Sequence, residues 1–97
     1  MAYIYKTTYT RPSTDVEFVP PEMPVELNDQ VQADLGITTE KTYSEDNLSV
    51  DVVITCPTEA AFDDWQSTMS PHWVEAFYLD WLFNNDIDVT HEVLENT

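Results

Sequence analysis

Two histidines, one cysteine, three tryptophans and nineteen carboxylates are the residues of this chain with chemistry to offer. His72, His91 and Cys56 are scattered and form no CxxC, HxxxH or HExxH spacing, so neither a metal site nor a cofactor is expected. Cys56 has no base near it in sequence, and a thiol at a strand end before Pro57 is expected to be inert. The stretch "EDNLSVD" (45–51) lacks the Asp-x-Asp-x-Asp-Gly order and closing Glu of a calcium loop. Adjacent acids such as Asp63 and Asp64 arise by chance in so acidic a chain, so no acid–base pair and no catalytic residue is assigned. A single glycine excludes a glycine-rich phosphate loop.

The tryptophans are more informative. Trp65, Trp73 and Trp81 recur at intervals of eight, close to two helical turns. Trp65 has Phe62 and Ala61 at i−3 and i−4, which places it on the buried side of a short helix. Beyond Pro71, the run from Trp73 to Phe83 is interrupted only by Glu75 and Asp80. A helix on a sheet needs an apolar arc of about 100°, and this run exceeds it. The surplus is expected to meet the preceding helix, a second subunit or a ligand. Tyr3, Tyr5 and Tyr9 alternate along the first strand and are expected to give the sheet an aromatic open face that wants a partner. Tyr3, Tyr5, Trp65, Trp73, Phe77 and Trp81 are therefore candidates for an aromatic pocket or subunit interface, with core packing as the alternative. A homo-oligomer is expected.

The formal charge of −16, with three basic side chains in all, argues against direct binding to nucleic acid or an anionic membrane. It points to a basic protein surface as partner, including one that binds DNA, with carboxylates standing in for phosphates. Glu22, Glu26, Asp29 and Asp34 are the candidate acidic row. Plain solubility or adaptation to salt is the competing explanation of the charge. One cysteine, no apolar leader and no apolar run approaching eighteen residues point to a reducing, cytoplasmic setting.

Periodicity supplies the elements. "AYIYKTTYT" (2–10) reads as a strand ended by Pro12, and 12–24 as a proline-rich extended connection within one domain spanning 1–97. Leu27, Val31 and Leu35 make a short amphipathic helix from Val25 to Leu35, with Pro24 at its start and Gly36 past its end. Strands at 37–43 and 48–55 flank the "SEDN" turn as a hairpin. Thr58 caps the next helix, Ser70-Pro71 starts another, and "IDVTHEVL" (87–94) closes as a strand on which His91 is expected to be hydrogen-bonded and partly buried. The order β-α-β-β-α-β predicts an α+β, ferredoxin-like fold: a four-stranded antiparallel sheet with helices on one face and a kink near Ser70-Pro71.

"VVITCPTEAAFDDWQSTMSPHW" (52–73), a strand leading into Glu-Ala-Ala-Phe-x-x-Trp-x-Ser, resembles the dimeric α/β-barrel proteins of the antibiotic biosynthesis monooxygenase type. That resemblance implies ferredoxin-like subunits paired sheet to sheet around a cavity. Its haem-degrading branch implies a strand Asn, a helix Trp and a His ligand. Trp65 and His72 match the last two, but "AYIYKTTYT" has no Asn, and His72 follows a proline at a helix start. The architecture is carried over and the chemistry is not. In composition the chain is also similar to small acidic accessory proteins of bacteriophages. The leading expectation is a small, non-catalytic, oligomeric acidic protein that binds a basic protein surface, possibly as a nucleic-acid mimic or inhibitor. A small-ligand binder or monooxygenase-like enzyme of the α/β-barrel type and a virion structural component are the alternatives.

Overall fold

The computed structural model describes residues 2–18, 23–73 and 77–96. Its elements run β1 (Tyr3–Thr10), α1 (Val25–Leu35), β2 (Thr38–Tyr43), β3 (Ser49–Cys56), α2 (Glu59–Met69), a single 3₁₀ turn (Ser70–His72), α3 (Leu79–Asn84) and β4 (Asp88–Asn96). The strands form one antiparallel sheet in the order β2-β3-β1-β4, which is the ferredoxin-like arrangement expected from the order of elements.

The local signals act where the sequence puts them. Gly36 adopts φ 71°, and the Gly36 and Ile37 N–H groups donate to Ala33 and Gln32 carbonyls at 3.2 and 2.8 Å. This is a Schellman ending, and it turns the chain from α1 straight into β2. Thr58 Oγ1 accepts from the Ala61 N–H at 3.1 Å and starts α2. At the hairpin, Asp46 accepts from Ser44 Oγ and the Leu48 N–H, while Asn47 takes φ 59°, a conformation Asn tolerates.

Register fixes the two faces of the sheet. Tyr3, Tyr5 and Tyr9 of β1 stand opposite Cys56, Ile54 and Val50 of β3, and Thr7 and Tyr9 stand opposite His91 and Val89 of β4. All of these point to the helix side: Tyr3 and Tyr5 both pack on Phe62 of α2, with ring centroids 4.8 and 4.7 Å apart. The expected aromatic open face is therefore overturned. Tyr3 belongs to the core with Ile37, Ile54, Cys56, Ala61, Phe62, Trp65 and Met69. The open face instead carries the intervening residues: Ile4, Lys6 and Thr8 on β1, Asp51 and Val53 on β3, Glu40 on β2, and Glu92 on β4.

Two further expectations change. Val31 and Leu35 of the expected α1 stripe pack on the core, but Leu27 is exposed and the amide Gln32 is buried, so the buried line is shifted at its N-terminal end. The helix read as starting at Pro71 begins instead as a 3₁₀ turn that Trp73 ends, and the Trp73 carbonyl receives both the Phe77 and Tyr78 N–H groups, at 3.1 and 3.0 Å. The second of these is an i→i+5 bond.

Candidate functional site

The helix layer stops short of the edge strand β2, all six of whose residues are exposed. A cleft of about 430 Å³ opens there. Thr7 and Tyr9 of β1 and Val50, Val52 and Ile54 of β3 form its floor, Asn28 and Gln32 of α1 one wall, and Trp65, Trp73 and Trp81 the other. An adjoining hollow of about 340 Å³ shares Thr7, Tyr9, Trp65 and Trp73 and reaches Tyr5, Tyr78 and His91. The volume falls in the range of small-molecule sites, about 300–1,000 Å³.

The aromatic residues form a connected wall. Trp65 meets Trp73 edge-on at 5.9 Å, Trp73 meets Tyr78 at 5.3 Å and 90°, and Tyr78 and Tyr9 each touch Trp81 at 6.0 Å. Edge-to-face pairs of this kind contribute about 0.5–1.5 kcal/mol beyond their buried area. The Tyr78 hydroxyl lies 2.9 Å from that of Tyr9 on the sheet. Burial raises the pKa of both phenols; for Tyr9 the neighbouring Tyr78 adds to the rise, whereas for Tyr78 the shared hydrogen bond works against it.

The polar groups of the cleft are few. Trp65 Nε1–H donates to Asn28 Oδ1 at 2.9 Å, and Thr39 Oγ1 donates to Gln32 Oε1 at 2.8 Å. Lys41 and Asp29 line the same opening from β2 and α1, and both side chains are exposed. His91 faces the second hollow, with Nδ1 3.2 Å from Thr7 Oγ1 and its ring stacked on Tyr5 at 5.6 Å. It is hydrogen-bonded as expected, but the expected partial burial is overturned: the side chain is exposed on an edge strand. The buried Cys56 thiol has its pKa pushed up by desolvation, against nucleophilic use. No group of three or more metal-ligating side chains converges among the described residues.

Of the aromatic candidates, Trp65, Trp73 and Trp81 line the cleft, Tyr5 lines the second hollow, Tyr3 is core, and the half-buried Phe77 lines neither. Glu26, Asp29 and Asp34 are exposed on α1, with Asp34 accepting from Gln30 Nε2 at 2.9 Å; Glu22 lies outside the described residues. The amides Asn28 and Gln32 and the ammonium of Lys41 were missed by sequence reasoning. Their signal was an i, i+4 amide pair beside the apolar stripe of α1.

The acidic surface is little neutralised. Lys6 Nζ and Glu92 Oε2, 3.7 Å apart, form the one ion pair between side chains among the described residues. The Arg11 guanidinium is committed to the Asn47 and Val16 carbonyls and lies 4.1 Å over the Phe18 ring, so it serves the β1–loop junction. No helix among the described residues is long and apolar enough to cross a membrane.

No family model and no curated protein matches the chain. Among solved structures, a de novo designed protein with ferredoxin fold aligns over 100% of this chain and 88% of its own, with 13% identity and a TM-score of 0.52. Rv0793 from Mycobacterium tuberculosis aligns over 98% of this chain and 97% of its own, with 14% identity and a TM-score of 0.46. At such identities the likeness concerns the fold alone.

Proposed function

We propose that this is a small, non-catalytic acidic protein that binds a basic protein surface, of the kind that otherwise holds nucleic acid. The observation that carries this reading is the contrast between a net charge of −16 and a single side-chain ion pair among the described residues. Charge left uncompensated on an ordered scaffold raises association rates with basic partners and selects against acidic ones. Glu26 and Asp34, with Asp29 between them, lie eight steps apart on α1, about 12 Å at 1.5 Å per residue, on a helix whose C-terminus is held by the Gly36 ending. Lys6 and Arg11, two of the three basic side chains, are occupied within the chain.

The polar open face of the sheet, with Lys6, Thr8, Asp51, Glu40 and Glu92, gives little apolar surface for a sheet-to-sheet dimer. Self-association is better supported at α3, where Leu79 and Phe83 sit four apart and Phe83 is 81% exposed.

The test is competition. The folded protein should displace duplex DNA from a linker histone more effectively than polyglutamate of equal total charge. The triple variant Glu26→Gln, Asp29→Asn, Asp34→Asn should lose most of that advantage. Equality with polyglutamate would mean that the charge serves solubility.

A further inference from the structure

We infer that the cleft between α1 and β2 is a binding site for a flat aromatic carboxylate. The inference goes beyond the acidic-surface reading and does not depend on it. Its walls are indole rings, and Trp65, Trp73 and Trp81 all face one opening large enough for a small molecule. A planar aromatic body is what such walls accept, by stacking or edge contact.

The hydrogen-bonding groups specify the other end of the ligand. The Asn28 and Gln32 side-chain oxygens are both occupied, by the Trp65 indole N–H and the Thr39 hydroxyl. An amide has two donors on its nitrogen besides its oxygen. With the oxygens taken, Asn28 Nδ2 and Gln32 Nε2 are left to offer hydrogens, one helical turn apart on the same wall. Gln32 is only 8% exposed. Gln32 lines the cleft, and its amide nitrogen has no hydrogen-bond partner among the described residues. A largely buried amide on a cavity wall marks where a ligand atom replaces water, since leaving it unpaired on binding would cost about 1–3 kcal/mol.

Lys41 adds a third donor, and a positive charge, across the opening. Two amide N–H groups and one ammonium select an acceptor-rich anion over a cation or a donor. Asp29 stands at the same mouth and opposes an anion. It accounts for a moderate affinity, and Asp29→Asn should tighten binding.

Three naphthalene probes that share one aromatic body separate the contributions: naphthoate, neutral acetonaphthone and naphthylmethylammonium, titrated into the intact chain by tryptophan fluorescence quenching. Naphthoate should quench saturably and bind at least about tenfold more tightly than the ammonium, the ratio one charge-assisted hydrogen bond supports. Lys41 is exposed, so Lys41→Met should leave the fold intact, checked by circular dichroism. That variant should weaken naphthoate alone, leaving acetonaphthone unchanged. Gln32→Glu, which exchanges donors for acceptors, should reverse the ranking of anion and cation. Raised salt should leave naphthoate binding unchanged or strengthen it, whereas a basic protein partner is released, so each reading can fail without the other. Equal affinity for all three probes, preference for the ammonium, indifference of naphthoate to Lys41→Met, or no saturable quenching would each overturn the assignment.

Discussion

The indole N–H of Trp65 on α2 donates to Oδ1 of Asn28 on α1 at 2.9 Å. This bond joins two helices through residues 37 apart in sequence. It also fixes one edge of the aromatic cleft, because Trp65 is largely buried and both residues line it. Replacing Asn28 by Ala leaves that indole donor unsatisfied in the core, at a cost of about 1–3 kcal/mol. Urea denaturation should show the loss as a lower midpoint with an unchanged slope. A shift under about 0.5 kcal/mol, the ordinary effect of a surface change, would mean that the two helices are held together by other contacts.

Gly36 gives a backbone test. A Cβ placed there would meet nothing nearer than Pro57 Cγ at 3.6 Å, so there is room for a side chain. The obstacle is φ 71°, a left-handed conformation that costs an L-residue about 1–2 kcal/mol. Gly36→Ala should be destabilising by that amount in thermal or chemical denaturation. A neutral result would show that the Schellman ending of α1 does not govern the entry to β2.

Phe83 is the most exposed of the large apolar side chains among the described residues, at 81%. Phe83→Asp should therefore barely alter monomer stability, within about 0.5 kcal/mol. If α3 mediates self-association, sedimentation velocity should show an oligomer in the wild-type protein and a monomer in the variant. A wild-type chain that stays monomeric at high concentration removes the oligomer from the account.

Alkaline pH tests the Tyr9–Tyr78 pair. Burial, chiefly, holds both phenols above the ordinary tyrosine value of about 10. The unfolded chain releases these protons near that pH, while the native protein retains them. The associated stabilisation is complete below about pH 10 and is lost as pH rises through the higher folded values. Unfolding free energy should fall above that point, with tyrosinate absorbance rising late in native protein and earlier after denaturation. A native titration in which every tyrosine ionises at its ordinary value would contradict the burial of this pair.

The order of elements was legible because each boundary has a local cause: Gly36 after α1, Thr58 before α2, Pro71 at the 3₁₀ turn, and the Asp46 turn between β2 and β3. The direction of the tyrosine face was not. Alternation shows that Tyr3, Tyr5 and Tyr9 share a side, but only Phe62, 57 residues beyond Tyr5, decides that the helices cover it. The tryptophans were recognised as a group, and Trp65 was placed correctly beside Phe62. The donor side of the cleft was hidden because Asn28 and Gln32 sit among acids on α1 and look solvated in sequence. Their importance comes from Trp65 and Thr39, which lie on other elements and consume their oxygens.

The central claim, recognition of a basic surface by ordered carboxylates, is tested most directly by calorimetric titration of a linker histone with the folded protein between about 50 and about 300 mM salt. The account expects saturable binding that weakens steeply across this range and is abolished by excess duplex DNA. Binding that is indifferent to salt, or that persists with the histone's DNA surface already occupied, would contradict it.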